Sequence, residues 1–200
     1  MKKTTSRSPP ARQEESWEAE AKLAQAAAEG DTDAQRELLR LAFPVVRRTT
    51  RHLLGRSQDL EDAVQASLVA VWSSVPHFEG RSSLAIWVTR ITIRTTLRLA
   101  KKQRSLVPTE AVEGLPAAGQ AGARSEAVPR SVPEYLQQLP EPQRVAVVLR
   151  YALDYSVDDI AQATETSPNT VKYRLKAALA KMRRLVRQDR ALWGKRHEER

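Results

Sequence analysis

Hydrogen-bonding and cationic side chains gather near the C-terminal end of the sequence, where they could read DNA. Asn169, Thr170, Lys172, Tyr173 and Lys176 mix amide, hydroxyl and ammonium groups. On a helix, residues three and four apart share a face, so most of this set would lie together. When such a helix enters the major groove, its N-terminal residues meet the base edges. The set therefore predicts DNA binding.

Two short helices joined by a tight turn are predicted to position these side chains. Residues 156–187 read SVDDIAQATETSPNTVKYRLKAALAKMRRLVR. Ser156, with Asp159 three residues later, is typical of a capped helix start. Ser167 followed by Pro168 marks a second start, because proline at the first helical position loses no hydrogen bond. The pattern is that of a helix-turn-helix.

A second cationic surface is predicted in the first half of the chain. Arg90, Arg94, Arg98 and Lys102 follow one another at intervals of four, so a helix places them in one stripe. Like charges at this spacing weaken an isolated helix slightly. A solvated face is the plain alternative, but almost no acid interrupts the stripe. We therefore favour contact with phosphates.

The composition favours a polyanionic partner and a helical fold. The formal net charge is +9, 41% of the 200 residues are hydrophobic, and 5% are aromatic. Because cysteine is absent, disulfides and thiolate chemistry are excluded. No apolar run is long enough for a signal-peptide core or a bilayer span. We expect a soluble, cytoplasmic protein without membrane insertion.

Few residues could support catalysis. His52, His77 and His197 are scattered and share no metal-ligand spacing with acids. The sequence also lacks a glycine-rich phosphate loop and a nucleophile motif. We predict no catalytic residue, no metal, no cofactor and no small-molecule substrate, so the chain is not expected to be an enzyme.

Helical periodicity predicts an all-α protein of two small domains. Helices are expected over 16–54 (broken near Gly30-Asp31 and near Pro44), 59–74, 84–104, 133–139 and 141–153, ahead of the helix-turn-helix. Proline and glycine punctuate residues 105–132, which indicates a flexible linker. The predicted parts are a disordered arm (1–15), a first domain (16–104), the linker (105–132), a second domain (133–187) and a charged tail (188–200).

The helix over 59–74 carries an acidic and amide patch with two interpretations. Glu61, Asp62 and Gln65 cluster on its first turns. Acids near a helix N-terminus complement the helix dipole, which is a sufficient structural reason. The same patch could dock a basic protein surface. Trp72 and Trp87 each lie on an apolar stripe and are predicted to pack in the core.

Longer motifs resemble the sigma-70 family, in its small extracytoplasmic-function group. DLEDAVQASLVAVW (59–72) and FEGRSSLAIWVTRI (78–91) resemble region 2, whose start is similar to residues 26–55. Residues 139–175, LPEPQRVAVVLRYALDYSVDDIAQATETSPNTVKYRL, resemble region 4. The two motifs stand in family order with a linker between them.

The resemblance implies that the chain binds core RNA polymerase. Residues at the positions that contact the β′ clamp helices would be Glu61, Asp62 and Gln65, with Leu68 behind them. Ala66 and Leu68 depart from the family's usual acid and Phe. The cationic continuation of the region 4 helix would meet the β flap. An anti-sigma factor is a further candidate partner.

The resemblance also assigns promoter DNA contacts. The −10 element would be read by a loop and helix containing Phe78, Gly80, Arg81, Ser82, Ser83, Arg90, Arg94 and Arg98. Phe78 could stack on a base, although core packing is the favoured interpretation. Arg94 and Arg98 stand where Asn and often Asp are usual, so they should strengthen backbone contacts and alter −10 preference.

For the −35 element, the resemblance assigns Asn169, Thr170, Lys172, Tyr173, Arg174 and Lys176. Ala177 replaces a frequent Arg. Glu165 replaces the usual turn glycine, and a residue with a Cβ tolerates positive φ poorly. Either the turn differs or its strain is tolerated.

These expectations describe a dissociable promoter-specificity subunit that directs transcription initiation. The runner-up is a stand-alone helix-turn-helix regulator that does not replace a sigma subunit, and a basic RNA-processing enzyme is a third class.

Overall fold

The computed structural model describes residues 11–55, 57–106 and 131–198, with side chains over 16–55, 57–102 and 131–191. The described residues form helices and no strand. The α-helices are α1 (Ala11–Ala28), α2 (Thr32–Leu54), α3 (Leu60–Ser74), α4 (Leu84–Leu106), α5 (Val132–Gln137), α6 (Glu141–Val147), α7 (Val157–Ala163) and α8 (Pro168–Glu198). A short 3-10 helix (Val75–His77) follows α3, and a π-helical turn (Val148–Ala152) follows α6.

Helix α2 is the centre of the first helical unit, α1–α4, because it packs against the other three helices. The Asp31 carboxylate starts it by accepting hydrogen bonds from the backbone N–H groups of Asp33 and Ala34 at 2.9 Å. Leu38 and Val46 are fully buried in its apolar face. The resulting core of aliphatic and aromatic side chains lies beneath the helices that carry the candidate site.

Two sequence expectations fail in α1 and α2. The predicted break near Pro44 is wrong, since α2 runs through it from Thr32 to Leu54. Pro44 is exposed, and burial of Leu38, Ala42 and Val46 on the opposite face offsets the missing backbone hydrogen bond. Helix α1 begins at Ala11, inside the predicted disordered arm, whose residues 1–10 lie outside the described residues. The predicted break at Gly30-Asp31 is observed.

The second helical unit, α5–α8, is assembled around the helix-turn-helix. Ser156 forms a capping box with Asp159, as predicted. The Ser167 hydroxyl accepts a hydrogen bond from the Thr170 N–H at 3.1 Å and so caps α8. The helix predicted over 141–153 changes to a π-helical turn after Val147. Helix α8 continues to Glu198, through most of the predicted charged tail, while most of the predicted linker (107–130) lies outside the described residues.

The two units contact each other, mainly through α4 and α7. Leu53, Ile86 and Ile93 of the first unit belong to the same buried apolar cluster as the core of the second. The hydroxyls of Thr89 and Tyr155 form a hydrogen bond of 2.8 Å across this contact. Burial raises the pKa of the Tyr155 hydroxyl, and the hydrogen bond with Thr89 partly opposes that shift. The all-α, two-unit fold class is confirmed.

Candidate nucleic-acid interface

Helix α8 presents a free polar face at its N-terminal end. Asn169, Lys172, Tyr173 and Lys176 are all exposed, and Tyr173 is 71% exposed. The opposite face is anchored in the core by three buried residues, Val171, Leu175 and Ala178. Thr170 and Arg174 are half-buried at the edges, and the Thr170 hydroxyl lies 2.8 Å from that of Ser167. The structure therefore brings the exposed −35 candidates together on one cationic surface.

The turn before α8 keeps the left-handed backbone that was in question at Glu165. Its φ is +51°, so the turn conformation is retained and the strain is tolerated. The Glu165 carboxylate points at α4, where it pairs with Arg94 and lies 3.5 Å from Arg90. The side chain thus has a partner outside its own motif.

The predicted arginine stripe exists on α4. Arg94 and Arg98 are exposed and Arg90 is half-buried, in line with Lys102 one turn further on. Arg90 and Arg94 both face Glu165 of the second unit. The stripe is therefore divided between two arginines opposed by an acid and a more distal exposed segment.

The 78–83 loop rests on an aromatic pair. Phe78 is 8% exposed and Trp87 is 6% exposed, with their ring centroids 5.1 Å apart. This placement confirms core packing for Trp87 and supports it for Phe78. Ser83 precedes α4 and caps it, because its hydroxyl accepts a hydrogen bond from the Ile86 N–H at 3.3 Å. Arg81 is exposed and pairs with Glu79.

Gly80 has an intramolecular reason to be glycine. Its φ is +68°, and a Cβ there would lie 3.0 Å from both the Ala21 Cβ and the Trp17 carbonyl oxygen of α1. Helix α1 also supplies the Glu20 carboxylate, which accepts from the Leu84 N–H at 2.6 Å. The sequence indicated close approach to a nucleobase as the reason for glycine at position 80. No pattern in it pointed to a role for α1 at the loop.

A cavity of about 450 Å³ opens beside the loop. It brings together four of the predicted −10 residues, Phe78, Arg81, Ser82 and Arg90. Gln162 of α7 also lines it, so the second unit forms part of its wall. Arg94, Arg98, Gly80 and Ser83 are not among its lining residues. A planar, hydrogen-bonding group is the kind of ligand that such a polar and aromatic lining suits.

The exposed face of α3 combines acids with apolar side chains. Glu61, Asp62 and Gln65 are exposed, and Leu68 is half-buried behind them. Val69 is 65% exposed and Trp72 is 40% exposed on the same face. The prediction that Trp72 packs in the core is wrong, because it lies about 100° around the helix from the buried Val71.

Val69 and Trp72 were missed as candidate surface residues. The signal was present in the sequence, since both share a helix face with Gln65 at spacings of four and seven. Large apolar side chains exposed beside polar ones are typical of protein-binding surfaces. Leu39 and Phe43 of α2 are likewise 41% and 45% exposed.

The described residues offer neither a metal-binding cluster nor a helix that could span a membrane. Among the described residues, no group of three or more His, Cys, Asp or Glu side chains is arranged to hold a metal ion. Over the same parts of the chain, every helix is too short or too polar to cross a bilayer.

Family comparisons match both units. The model described as sigma-70 region 2 matches residues 38–106, and the model described as sigma-70, region 4 matches residues 130–182. The first match covers the predicted polymerase face and the −10 candidates. The second covers the helix-turn-helix, so the two sequence resemblances are confirmed.

Similar proteins extend the match along the chain. RNA polymerase sigma factor SigV of Bacillus subtilis is 29% identical over 161 residues, covering 79% of this chain and 90% of SigV. ECF RNA polymerase sigma factor SigM of Mycobacterium tuberculosis is 28% identical over 168 residues, covering 84% of each. The fold is similar to that of sigma factor RpoE, solved with the anti-sigma factor NepR from Bartonella quintana, with a TM-score of 0.62 and 24% identity over 78% of this chain and 97% of RpoE.

Two independent features thus coincide in one chain: an α3 surface suited to a protein partner, and two helices suited to nucleic acid. Both lie within segments that match the same family, in the family's order. The chain belongs to the sigma-70 family of RNA polymerase sigma factors, in its extracytoplasmic-function group.

Proposed function

We propose that this sigma factor binds core RNA polymerase, places α8 on the −35 element and the 78–83 loop with α4 on the −10 element, and so directs transcription initiation. The observation that carries the proposal is the presence of regions 2 and 4, in that order, in a single chain. A stand-alone regulator needs only the second unit. It would leave the whole region 2 match, residues 38–106, without a purpose.

Core polymerase docks on α3 in this proposal. The acids Glu61 and Asp62 with Gln65 would meet a basic helical surface of the β′ clamp, and Leu68 supports them from behind. Val69 and Trp72 add an apolar contact, and tryptophan is among the residues that contribute most to affinity when a partner covers them. The cationic side chains further along α8 would face the β flap.

Promoter DNA is read on two surfaces. On α8, Lys172 and Lys176 would donate to guanine or to phosphates, and Tyr173 would contact the backbone or a thymine methyl group. On the first unit, the 450 Å³ cavity is the candidate receptacle for an unstacked −10 base. Arg90, Arg94 and Arg98 would follow the phosphates beside it.

The protein contributes binding and positioning in this proposal, while the polymerase carries out the phosphodiester chemistry. We infer that it acts in the cytoplasm, where bacterial RNA polymerase works. An anti-sigma factor is a candidate partner, since the similar RpoE was solved with the anti-sigma factor NepR.

Reconstitution tests the proposal directly. Purified chain is added to sigma-free core polymerase on a set of candidate promoters, including the region upstream of its own gene. We expect stable binding to core and specific initiation. Failure to bind core and to initiate on every promoter would reject the sigma role, and DNA binding without core binding would favour the stand-alone regulator.

A further inference from the structure

Two residues of the second unit share an unusual combination of backbone and charge. Asp154 and Glu165 are the non-glycine residues with positive φ in the described parts of the chain, at +59° and +51°. Both are acids, and both face an arginine of the first unit. Asp154 lies 3.9 Å from Arg48, and Glu165 pairs with Arg94 and Arg90.

Glycine would be the less strained choice at Glu165. A left-handed backbone costs a residue with a Cβ more than it costs glycine, and Asp is enriched there whereas Glu is not. The carboxylate of Glu165 nevertheless lies where two arginines meet it across the unit boundary. The strained position therefore supplies a charge that glycine could not.

The arginines that Glu165 engages belong to the proposed −10 surface. Arg90 also lines the cavity beside the 78–83 loop, and Gln162 of α7 closes part of that cavity. A phosphate and the Glu165 carboxylate would compete for the same guanidinium groups. Packing of the second unit thus covers part of the DNA surface of the first.

The apolar contact and the Thr89–Tyr155 hydrogen bond hold the units more firmly than the ion pairs do. Leu53, Ile86 and Ile93 are buried in the cluster shared with the second unit. Thr89 is fully buried and bonds to Tyr155 at 2.8 Å. The side chains of Arg94 and Glu165 remain 61% and 50% exposed, and exposed pairs contribute little. Glu165 therefore contributes little to the stability of the contact between the units, whereas Tyr155 contributes more.

We propose that the free chain is self-inhibited: the helix-turn-helix closes over the −10 surface, and Glu165 neutralises Arg90 and Arg94 until the units separate. The proposal rests on the proposed function for its assignment of the −10 surface. A DNA strand then binds with an affinity reduced by the fraction of chains that are closed. The −35 face of α8 stays exposed in the closed state.

Unit separation is measured without DNA, on the full chain. Because the sequence has no cysteine, Lys22→Cys and Gln188→Cys place a dye pair with one dye on each unit. Three variants are compared with the parent: Glu165→Gln, which keeps the Cβ and removes the charge; Glu165→Gly, which also relieves the backbone; and Tyr155→Phe. The matched control is Glu37→Gln, which removes an exposed carboxylate paired with Arg40 inside α2.

All three variants should lower energy transfer, and Glu37→Gln should not. Affinity for a single-stranded −10 oligonucleotide should rise roughly twofold to fivefold for Glu165→Gln, the range expected for an exposed pair. Tyr155→Phe should raise it roughly fivefold or more, because the fully buried Thr89 hydroxyl loses its partner across the contact. Glu165→Gly should open the chain without lowering the melting temperature, which separates opening from unfolding.

Two outcomes would overturn the proposal, and they differ in what else they reject. Energy transfer equal to that of Glu37→Gln in every variant would show that these contacts hold no closed state, and would leave the sigma role untouched. Lower energy transfer without a gain in DNA affinity would show that the covered surface does not bind DNA. That second result would also reject the −10 assignment in the proposed function.

Discussion

The cationic faces of α4 and α8 are similar in sequence and different in surroundings. On α8, Asn169, Lys172, Tyr173 and Lys176 project from the second unit with no acid opposite them among the ion pairs of the described residues. On α4, Arg90 and Arg94 meet Glu165, a residue 75 and 71 positions away in the sequence. The α8 surface is ready to bind, whereas the α4 surface is partly occupied by its own chain.

A run of like charges in the sequence therefore does not show whether its side chains are accessible to a ligand in the folded chain. Both helices satisfy the same sequence criterion for phosphate contact. Their accessibility depends on which face of each unit is buried against the other. A −35 contact that forms first and a −10 contact that forms after opening would be the natural order for such a molecule.

The largest expected effect contrasts the two tryptophans of the first unit. Trp87→Ala should lower the free energy of unfolding by about 3 to 5 kcal/mol, because it removes the buried partner of Phe78 beneath the 78–83 loop. Trp72→Ala should cost about 1 kcal/mol or less and instead weaken core-polymerase binding by roughly tenfold or more. Chemical denaturation and a core-binding titration measure the two. Equal losses of stability would contradict the exposed position of Trp72.

Removal of the α8 cations should separate promoter reading from polymerase binding. Lys172→Ala combined with Lys176→Ala should reduce −35-dependent transcription by at least about tenfold, since each base contact contributes roughly 1 to 3 kcal/mol. Binding to core polymerase should be retained, because both side chains are exposed on the second unit, whereas the proposed polymerase contacts lie on α3 and further along α8. In vitro transcription and competition for core check the two readouts. A loss of core-polymerase binding would contradict the assignment of promoter contacts to the N-terminal end of α8 and of polymerase contacts to α3.

A glycine pair tests whether the loop conformation is set by α1. Gly55→Ala and Gly80→Ala both introduce a Cβ at a φ near +70°, at +70° and +68° respectively. Gly55 has nothing within 4 Å of that Cβ, whereas Gly80 would meet Ala21 and Trp17 at 3.0 Å. We expect a loss of about 1 to 3 kcal/mol at Gly55, from backbone strain alone, and a larger loss at Gly80, where the contacts with α1 add to the strain. Thermal unfolding measures the two losses of stability. Equal losses would show that α1 does not set the conformation of the loop.

The smallest effect sharpens the comparison within α4 itself. In the free chain, Arg98→Ala should reduce the salt slope of DNA binding by about 0.7 to 0.9 per phosphate contact. Arg94→Ala should leave the slope unchanged there, because Glu165 already neutralises that guanidinium. In the Glu165→Gln background, Arg94→Ala should lower the slope as well. If Arg94→Ala and Arg98→Ala changed the salt slope equally in both backgrounds, the two arginines would not differ in their availability to DNA.

Local signals predicted most of the helices. The capping box at Ser156, the Ser167-Pro168 start and the Gly30-Asp31 break act through adjacent backbone groups, and the structure contains all three. Pro44 misled because a local rule was overridden: burial along three neighbouring helices keeps α2 continuous. Trp72 misled because an apolar residue at the edge of a stripe can face either way, and only packing decides.

The sequence predicted which residues belong to the candidate site but not which distant residues they contact. The exposed polar face at the start of α8 follows from helical spacing alone. The role of Gly80 against α1 depends on the close approach of residues about sixty positions apart, which no local pattern records. Glu165 stood out in the sequence as a misfit in a turn. Arg94, one of its two partners on α4, was equally unusual, but nothing in the linear order joined it to Glu165.

Periodicity, capping and motif order predicted the fold class, the family and the two cationic surfaces, because all three are properties of neighbouring residues. Which of those surfaces is open depends on how the two units pack against each other. Ion pairs such as Glu165 with Arg94, the cavity wall at Gln162 and the Thr89–Tyr155 hydrogen bond all join distant segments. They exist only after apolar burial has brought the two units into contact.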